Sequence, residues 1–146
     1  MRQIPVCYVR GSAALELALL LPVLLTLCLV VSELGRALYE YKTVLKAVGH
    51  GARYLATQAP NTQILETKNL VVYGNTEGTG ATLAAGLSLG LVETPTWTAD
   101  ASDPKLNLVT VSVRGYAFKP LFSSVFGVSL GGIVFNEIRA SMRVAS

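Results

Sequence analysis

The sequence predicts an α+β protein: a long N-terminal transmembrane helix that continues as an amphipathic helix and packs on a small antiparallel β-sheet. Three patterns predict it. Residues Leu17 to Val31 are apolar apart from Thr26. A single apolar stripe then recurs at Leu34, Leu38, Tyr41, Leu45, Val48, Ala52 and Leu55, with spacings alternating between four and three. Farther on, two segments alternate apolar and polar residues with a period of two, the pattern of half-buried strands.

The apolar run, extended from Ser12 to Ser32, is about 20 residues, enough for a helix to cross a bilayer core. A cleaved secretory signal would be followed by a small-residue cleavage site. Here Ser32-Glu33-Leu34-Gly35-Arg36-Ala37-Leu38 carries the helical pattern onward instead. Lys and Arg counts do not orient the span. Arg2 and Arg10 precede it; Arg36, Lys42, Lys46 and Arg53 follow it, mixed with Glu33 and Glu40.

The amphipathic continuation is expected to reach about Gln58, with Pro60 ending it. Arg36 and Glu40 form an i,i+4 pair off the stripe. The later turns of the stripe are expected to face the chain's own C-terminal domain, and the first turns to face neighbouring helices. Gly35, Gly49 and Gly51 lower helix propensity by about 1 kcal/mol each relative to Ala, and allow close approach of another backbone. Pro22 removes a ladder hydrogen bond and is expected to kink the helix.

Beyond Asn61 the pattern becomes strand-like. Asn69-Leu70-Val71-Val72-Tyr73 reads as a short strand ended by Gly74-Asn75, and Thr76 to Gly90 as a long loop. Thr96-Trp97-Thr98, behind Pro95, reads as an edge strand. Val109, Val111 and Val113 alternate with Thr110, Ser112 and Arg114. Ile138, Ala140, Met142 and Val144 alternate with Arg139, Ser141, Arg143 and Ala145. Lys119-Pro120-Leu121-Phe122 opens a turn-rich connection containing Val125, Phe126 and Val128. About 85 residues is marginal for an independent core, so the helix is expected to complete it.

Composition narrows the function. Of 146 residues, 51% are hydrophobic and 14% charged, with a formal net charge of +3; soluble domains carry about 25% charged residues. The basic residues look scattered rather than gathered in a stripe, which argues against a nucleic-acid partner. The two cysteines, Cys7 and Cys28, lie before and within the apolar run, so no disulfide framework serves the downstream domain. His50, the only histidine, stands between two glycines with no nearby thiol or acid cluster. Gly74 to Gly80 lacks the Gly-Lys-Ser/Thr ending of a phosphate loop. Asp100-Ala101-Ser102-Asp103-Pro104 could hold calcium, though acidic turns before proline are mostly structural. No nucleophile motif is present. Neither a cofactor, a metal, an enzymatic activity nor a small-molecule substrate is expected.

Glu16 is the exception in the apolar start. A carboxylate there costs roughly 2–4 kcal/mol at mid-membrane and less near the interface. It can snorkel to the headgroups, or it can find a buried cation. If the chain were cut after Gly11, Ser12 would carry a new α-amino group one helical turn from Glu16.

Arg10-Gly11-Ser12-Ala13-Ala14-Leu15-Glu16-Leu17-Ala18-Leu19-Leu20-Leu21-Pro22 resembles the processing site and helix start of type IV pilin-like proteins. Glu33-Leu34-Gly35-Arg36-Ala37-Leu38-Tyr39 and Gly51-Ala52-Arg53-Tyr54-Leu55-Ala56-Thr57 resemble signatures of the TadE-like minor pilins, and Ala140-Ser141-Met142-Arg143 resembles their C-terminal strand. The resemblance implies a leader over residues 1–11, cut between Gly11 and Ser12 by a prepilin-type leader peptidase. It implies that Glu16, at the fifth mature position, acts in assembly; the next position, usually aromatic in the family, is Leu17. It further implies a transmembrane helix over 12–32, an extracytoplasmic continuation over 33–59 and a small β-rich domain over 60–146, held in the inner membrane. The implied partners are the peptidase, other pilins, the assembly platform of a tight-adherence pilus, and membrane lipid. The alternative is an uncleaved signal-anchor protein with a small periplasmic binding domain; an anchored hydrolase is a third.

Overall fold

The computed structural model describes residues 10–99, 107–122, 124–125, 128–129 and 132–144. Most of the expected leader, Cys7, Phe126 and the Asp100–Asp103 turn lie outside the described residues. Helix α1 runs unbroken over Arg10–Ala56. Proline at position 22 withholds one N–H from the ladder, and the Thr26 hydroxyl donates to the Pro22 carbonyl at 2.7 Å. The helix closes through turn hydrogen bonds from Thr57 and Gln58 to Tyr54 and Leu55, two residues short of Pro60.

The segment expected to be a strand is a helix. Asn69–Tyr73 forms the last turns of α2, Ile64–Tyr73. A short continuous apolar run does not distinguish a buried strand from a buried helix. The deciding features flank the run. Thr67 and Val71 recur at helical spacing and are fully buried with Val72. Gly74, in the left-handed region at φ 79°, closes the helix by donating its N–H to the Leu70 carbonyl at 3.0 Å.

The sheet follows expectation. Strands β1 (Thr96–Ala99), β2 (Asn107–Val113) and β5 (Ile138–Arg143) form an antiparallel sheet in the order β1-β2-β5. β1 is the edge, with Pro95 just before it. The register pairs Trp97 with Val109, Val109 with Met142, Val111 with Ala140 and Val113 with Ile138. These residues therefore share one face, and that face covers the C-terminal half of α1. A two-residue pair, β3 (Ser124–Val125) and β4 (Val128–Ser129), forms a separate small hairpin. The region from Thr76 to Gly90 is loop, ending in a 3-10 turn over Leu89–Leu91.

One core joins these elements. Val44, Ala47, Val48, Ala52, Leu55 and Ala56 of α1 pack with Val71 and Val72 of α2, Val109, Val111 and Val113 of β2, Ile138 of β5 and Tyr116. The helix thus completes the core, as expected, but the stripe is displaced in its first turns. Leu34, Leu38 and Leu45 are exposed, while Glu33, Ala37, Val44 and Ala47 are buried. The domain lies close against α1 on the side where α1 carries small residues, and the large leucines are left one residue around the helix.

Candidate functional site

The site residues expected from the sequence all lie on α1, which has two unlike halves. Between Leu17 and Val31 nearly every residue is exposed; Thr26, Leu29 and Val30 are half-buried. The helix that contains it, Ala13–Ala56, has an apolar window long enough to cross a membrane. Glu16 is exposed here, with no hydrogen bond or ion pair among the described residues. Gly11 lies in the first turn, and a Cβ added there would meet no atom within 4 Å. No steric demand of the fold selects glycine at that position.

Above the apolar run, the first signature forms a polar clamp. Glu33, 5% exposed, receives Arg36 Nη1 at 3.1 Å on Oε2 and the Leu121 backbone N–H at 3.2 Å on Oε1. Arg36 Nη2 reaches Glu40 Oε1 at 3.4 Å. The other oxygen of Glu40 accepts the Tyr116 hydroxyl at 2.7 Å, with the Ala85 carbonyl 3.2 Å from the same hydroxyl. The Arg36 guanidinium also sits over the Phe118 ring, 5.4 Å from its centroid. Tyr116 is fully buried and stacks on Phe135, which also meets Tyr41. Burial, and then the hydrogen bond and negative charge of Glu40, push the Tyr116 hydroxyl well above its ordinary pKa. The expected Arg36–Glu40 pair exists, but it faces the domain. Its partners Tyr116, Phe118 and Leu121 carried no signal in the sequence, because the contacts span 76 and 88 residues.

The second signature is a helix crossing. A Cβ on Gly51 would stand 2.9 Å from Val71 Cγ2 and 3.2 Å from Thr67 Cγ2, so glycine here is what lets α2 approach α1. Ala52 is buried beside it; Tyr54 is half-buried and Arg53 faces outward. Gly35 and Gly49 are different: among the described residues nothing lies within 4 Å of a Cβ at either position. Among the described residues, the close approach expected of all three glycines is made only at Gly51.

Helical spacing also gathers basic residues that look scattered in the sequence. Lys42, Lys46 and His50 line one side of a cleft of about 480 Å³ with Tyr39, Thr43 and, across it, Leu70 and Leu83. All three side chains are exposed. Among the described residues, no group of three or more His, Cys, Asp or Glu is placed to hold a metal ion.

Both signatures thus serve the junction between helix and domain, and the apolar run below them is left bare. Residues 11–53 match the family model of TadE-like proteins. The chain carries a TadE-like segment. That segment starts at Gly11, lies wholly within α1 and takes in the apolar run, the α1 side of the polar clamp and Gly51. No curated protein and no solved structure gives a significant match. TadE-like proteins are structural, pilus-associated proteins, and the segment that resembles them here holds a helix long and apolar enough to cross a membrane.

Proposed function

We propose that the chain is a minor pilin or pseudopilin. It is inserted in the inner membrane with its domain outside the cytoplasm, cut between Gly11 and Ser12, and incorporated into a tight-adherence pilus or its assembly base. The observation that carries the reading is the bare first half of α1, which opens on a glycine that nothing in the fold requires. No contact among the described residues requires glycine at position 11, and a use outside the fold, as the residue before a cleavage site, accounts for it. Cleavage would convert the Ser12 amide nitrogen into a cation within reach of Glu16, on the same chain or a neighbouring one. Gly35 gives a second support: it is a helical glycine with open space beside it, which suits the close approach of a helix from another subunit. The partners in this scheme are the leader peptidase, other pilins and the assembly platform.

The experiment is mass spectrometry of the protein recovered from the membrane. A chain beginning at Ser12 is expected. Gly11→Leu is expected to accumulate the full-length precursor, and Glu16→Ala to be cut normally yet be lost from the pilus fraction. A chain beginning at Met1 would make it an uncleaved anchor; one beginning beyond Ser32 would make it a secreted domain. Protease added to intact spheroplasts is expected to digest the domain, and protection would reverse the topology.

A further inference from the structure

After β2 the chain runs back along α1 toward the apolar run. Tyr116 meets Glu40, Phe118 lies beside Arg36, and the Leu121 amide reaches Glu33. From Glu40 to Glu33 this is a descent of about 10 Å at a rise of 1.5 Å per residue. Glu33 stands two residues beyond Val31, so the descent ends about 3 Å above the end of the apolar run. At that point the chain presents two large apolar side chains outward: Leu121 is 71% exposed and Phe122 47% exposed. Lys119, just before them, is exposed as well. The helix carries a matching sign. Leu29 and Val30, on the same face as Glu33 at spacings of four and three, are half-buried while most of the run is bare, so the shielding of α1 continues below the level of Glu33.

We propose that the turn over residues 119–122 is a second, interfacial membrane anchor. Leu121 and Phe122 enter the boundary between headgroups and acyl chains of the leaflet from which α1 emerges. The occupant is lipid because the turn is tied by Glu33 to the place where the span leaves the bilayer, so crossing the membrane carries the two side chains into its surface. The proposal rests on the reading that the helix over residues 12–32 spans a bilayer.

The test uses the full chain in phosphatidylcholine vesicles at fewer than one chain per vesicle. Tryptophan is introduced singly as Leu121→Trp, Phe122→Trp, Leu24→Trp or Glu77→Trp, and the emission of the parent chain, which holds Trp97, is subtracted. The vesicles contain lipid brominated either high on the acyl chain or near its end. Tryptophan at 121 and at 122 is expected to lose most of its emission to the shallow bromines and little to the deep ones, with position 77 unaffected. If positions 121 and 122 keep their emission while Leu24→Trp is quenched, the span stands and the anchor is overturned. If Leu24→Trp is not quenched either, the spanning helix itself is overturned, and the anchor with it. A blue shift at 122 that appears only when chains are crowded, without quenching by bromine, would assign the turn to a second subunit and overturn the lipid assignment.

Discussion

The two halves of α1 are one continuous helix with opposite relations to the rest of the chain. Above Glu33 one face is buried by β2, β5, α2 and the descending turn, and its polar residues are held by partners in the domain. Below Val31 the apolar side chains face outward almost all the way around. The same residue types therefore carry opposite meanings in the two halves. An exposed leucine at position 24 needs a partner that is not part of this chain, whereas a leucine at position 55 already has one. A TadE-like segment that crosses from one half to the other contains both kinds of surface.

Removing the upper half from the domain should have the largest effect. A fragment beginning at Asn61 lacks Val44, Val48, Ala52 and Leu55, and should show no cooperative unfolding transition in denaturant. One beginning near Leu38 should show one. The loss is comparable to the whole stability of a small domain, about 5–15 kcal/mol. A cooperative Asn61–Ser146 fragment would break the comparison, because it would make the upper half as free as the lower.

Within the intact chain, Leu55→Ala should cost about 2–5 kcal/mol in domain stability, measured by denaturant unfolding in detergent. Leu55 is fully buried in the core shared by helix and sheet.

Gly51→Ala should cost about 1–3 kcal/mol, since its methyl group would press on Val71 and Thr67. Gly35→Ala should do the reverse in the monomer and stabilise the helix by up to about 1 kcal/mol. If Gly35 serves a neighbouring helix, the same change should reduce incorporation into the pilus. Equal effects of the two substitutions on domain stability would erase the distinction drawn between an internal and an external crossing.

The clamp sharpens the comparison through pH. The folded state holds the Tyr116 proton more tightly than the unfolded chain does, so its protonated form contributes stability that is fully present below the ordinary value of 10.0. That contribution is lost as pH rises above 10 toward the raised value of the folded state. Tyr116→Phe should cost about 1–2 kcal/mol at neutral pH and flatten the alkaline loss. An unchanged alkaline profile would detach Tyr116 from the clamp.

The smallest effect should come from the lower half: Leu24→Ala should leave domain stability within about 0.5 kcal/mol.

What the sequence made legible follows the range of the interactions. The span is written in a local run of apolar residues. The strands are written in the alternation of Val109, Val111 and Val113 and of Ile138, Ala140 and Met142, and Pro95 marks the edge. Helix α2 was hidden because Leu70-Val71-Val72 has no period of its own; the burial of Thr67 decides it, and that depends on Gly51. The stripe through Leu34 and Leu38 lies one residue out of phase with the buried face in the first turns of α1. The buried positions there are Ala37 and Val44 instead, and Val44 joins the core shared with the sheet. The clamp was half legible. Glu33, Arg36 and Glu40 have helical spacing, but nothing near them in sequence announces Tyr116 or Leu121. Gly11 and Glu16 were visible from the start, and the fold gives neither of them an internal task.

The continuity of α1 from Arg10 to Ala56 has a geometric consequence. At 1.5 Å per residue the helix is about 70 Å long, and each residue turns it by about 100°. Because Glu33, Glu40 and Gly51 lock the domain to one azimuth of this rod, the heading of the domain is a fixed readout of how the rod is rotated in the membrane. A neighbour that grips the rod at Glu16 therefore also chooses the compass direction in which the cleft of Lys42, Lys46 and His50 points, some 40 Å higher at the same rise per residue.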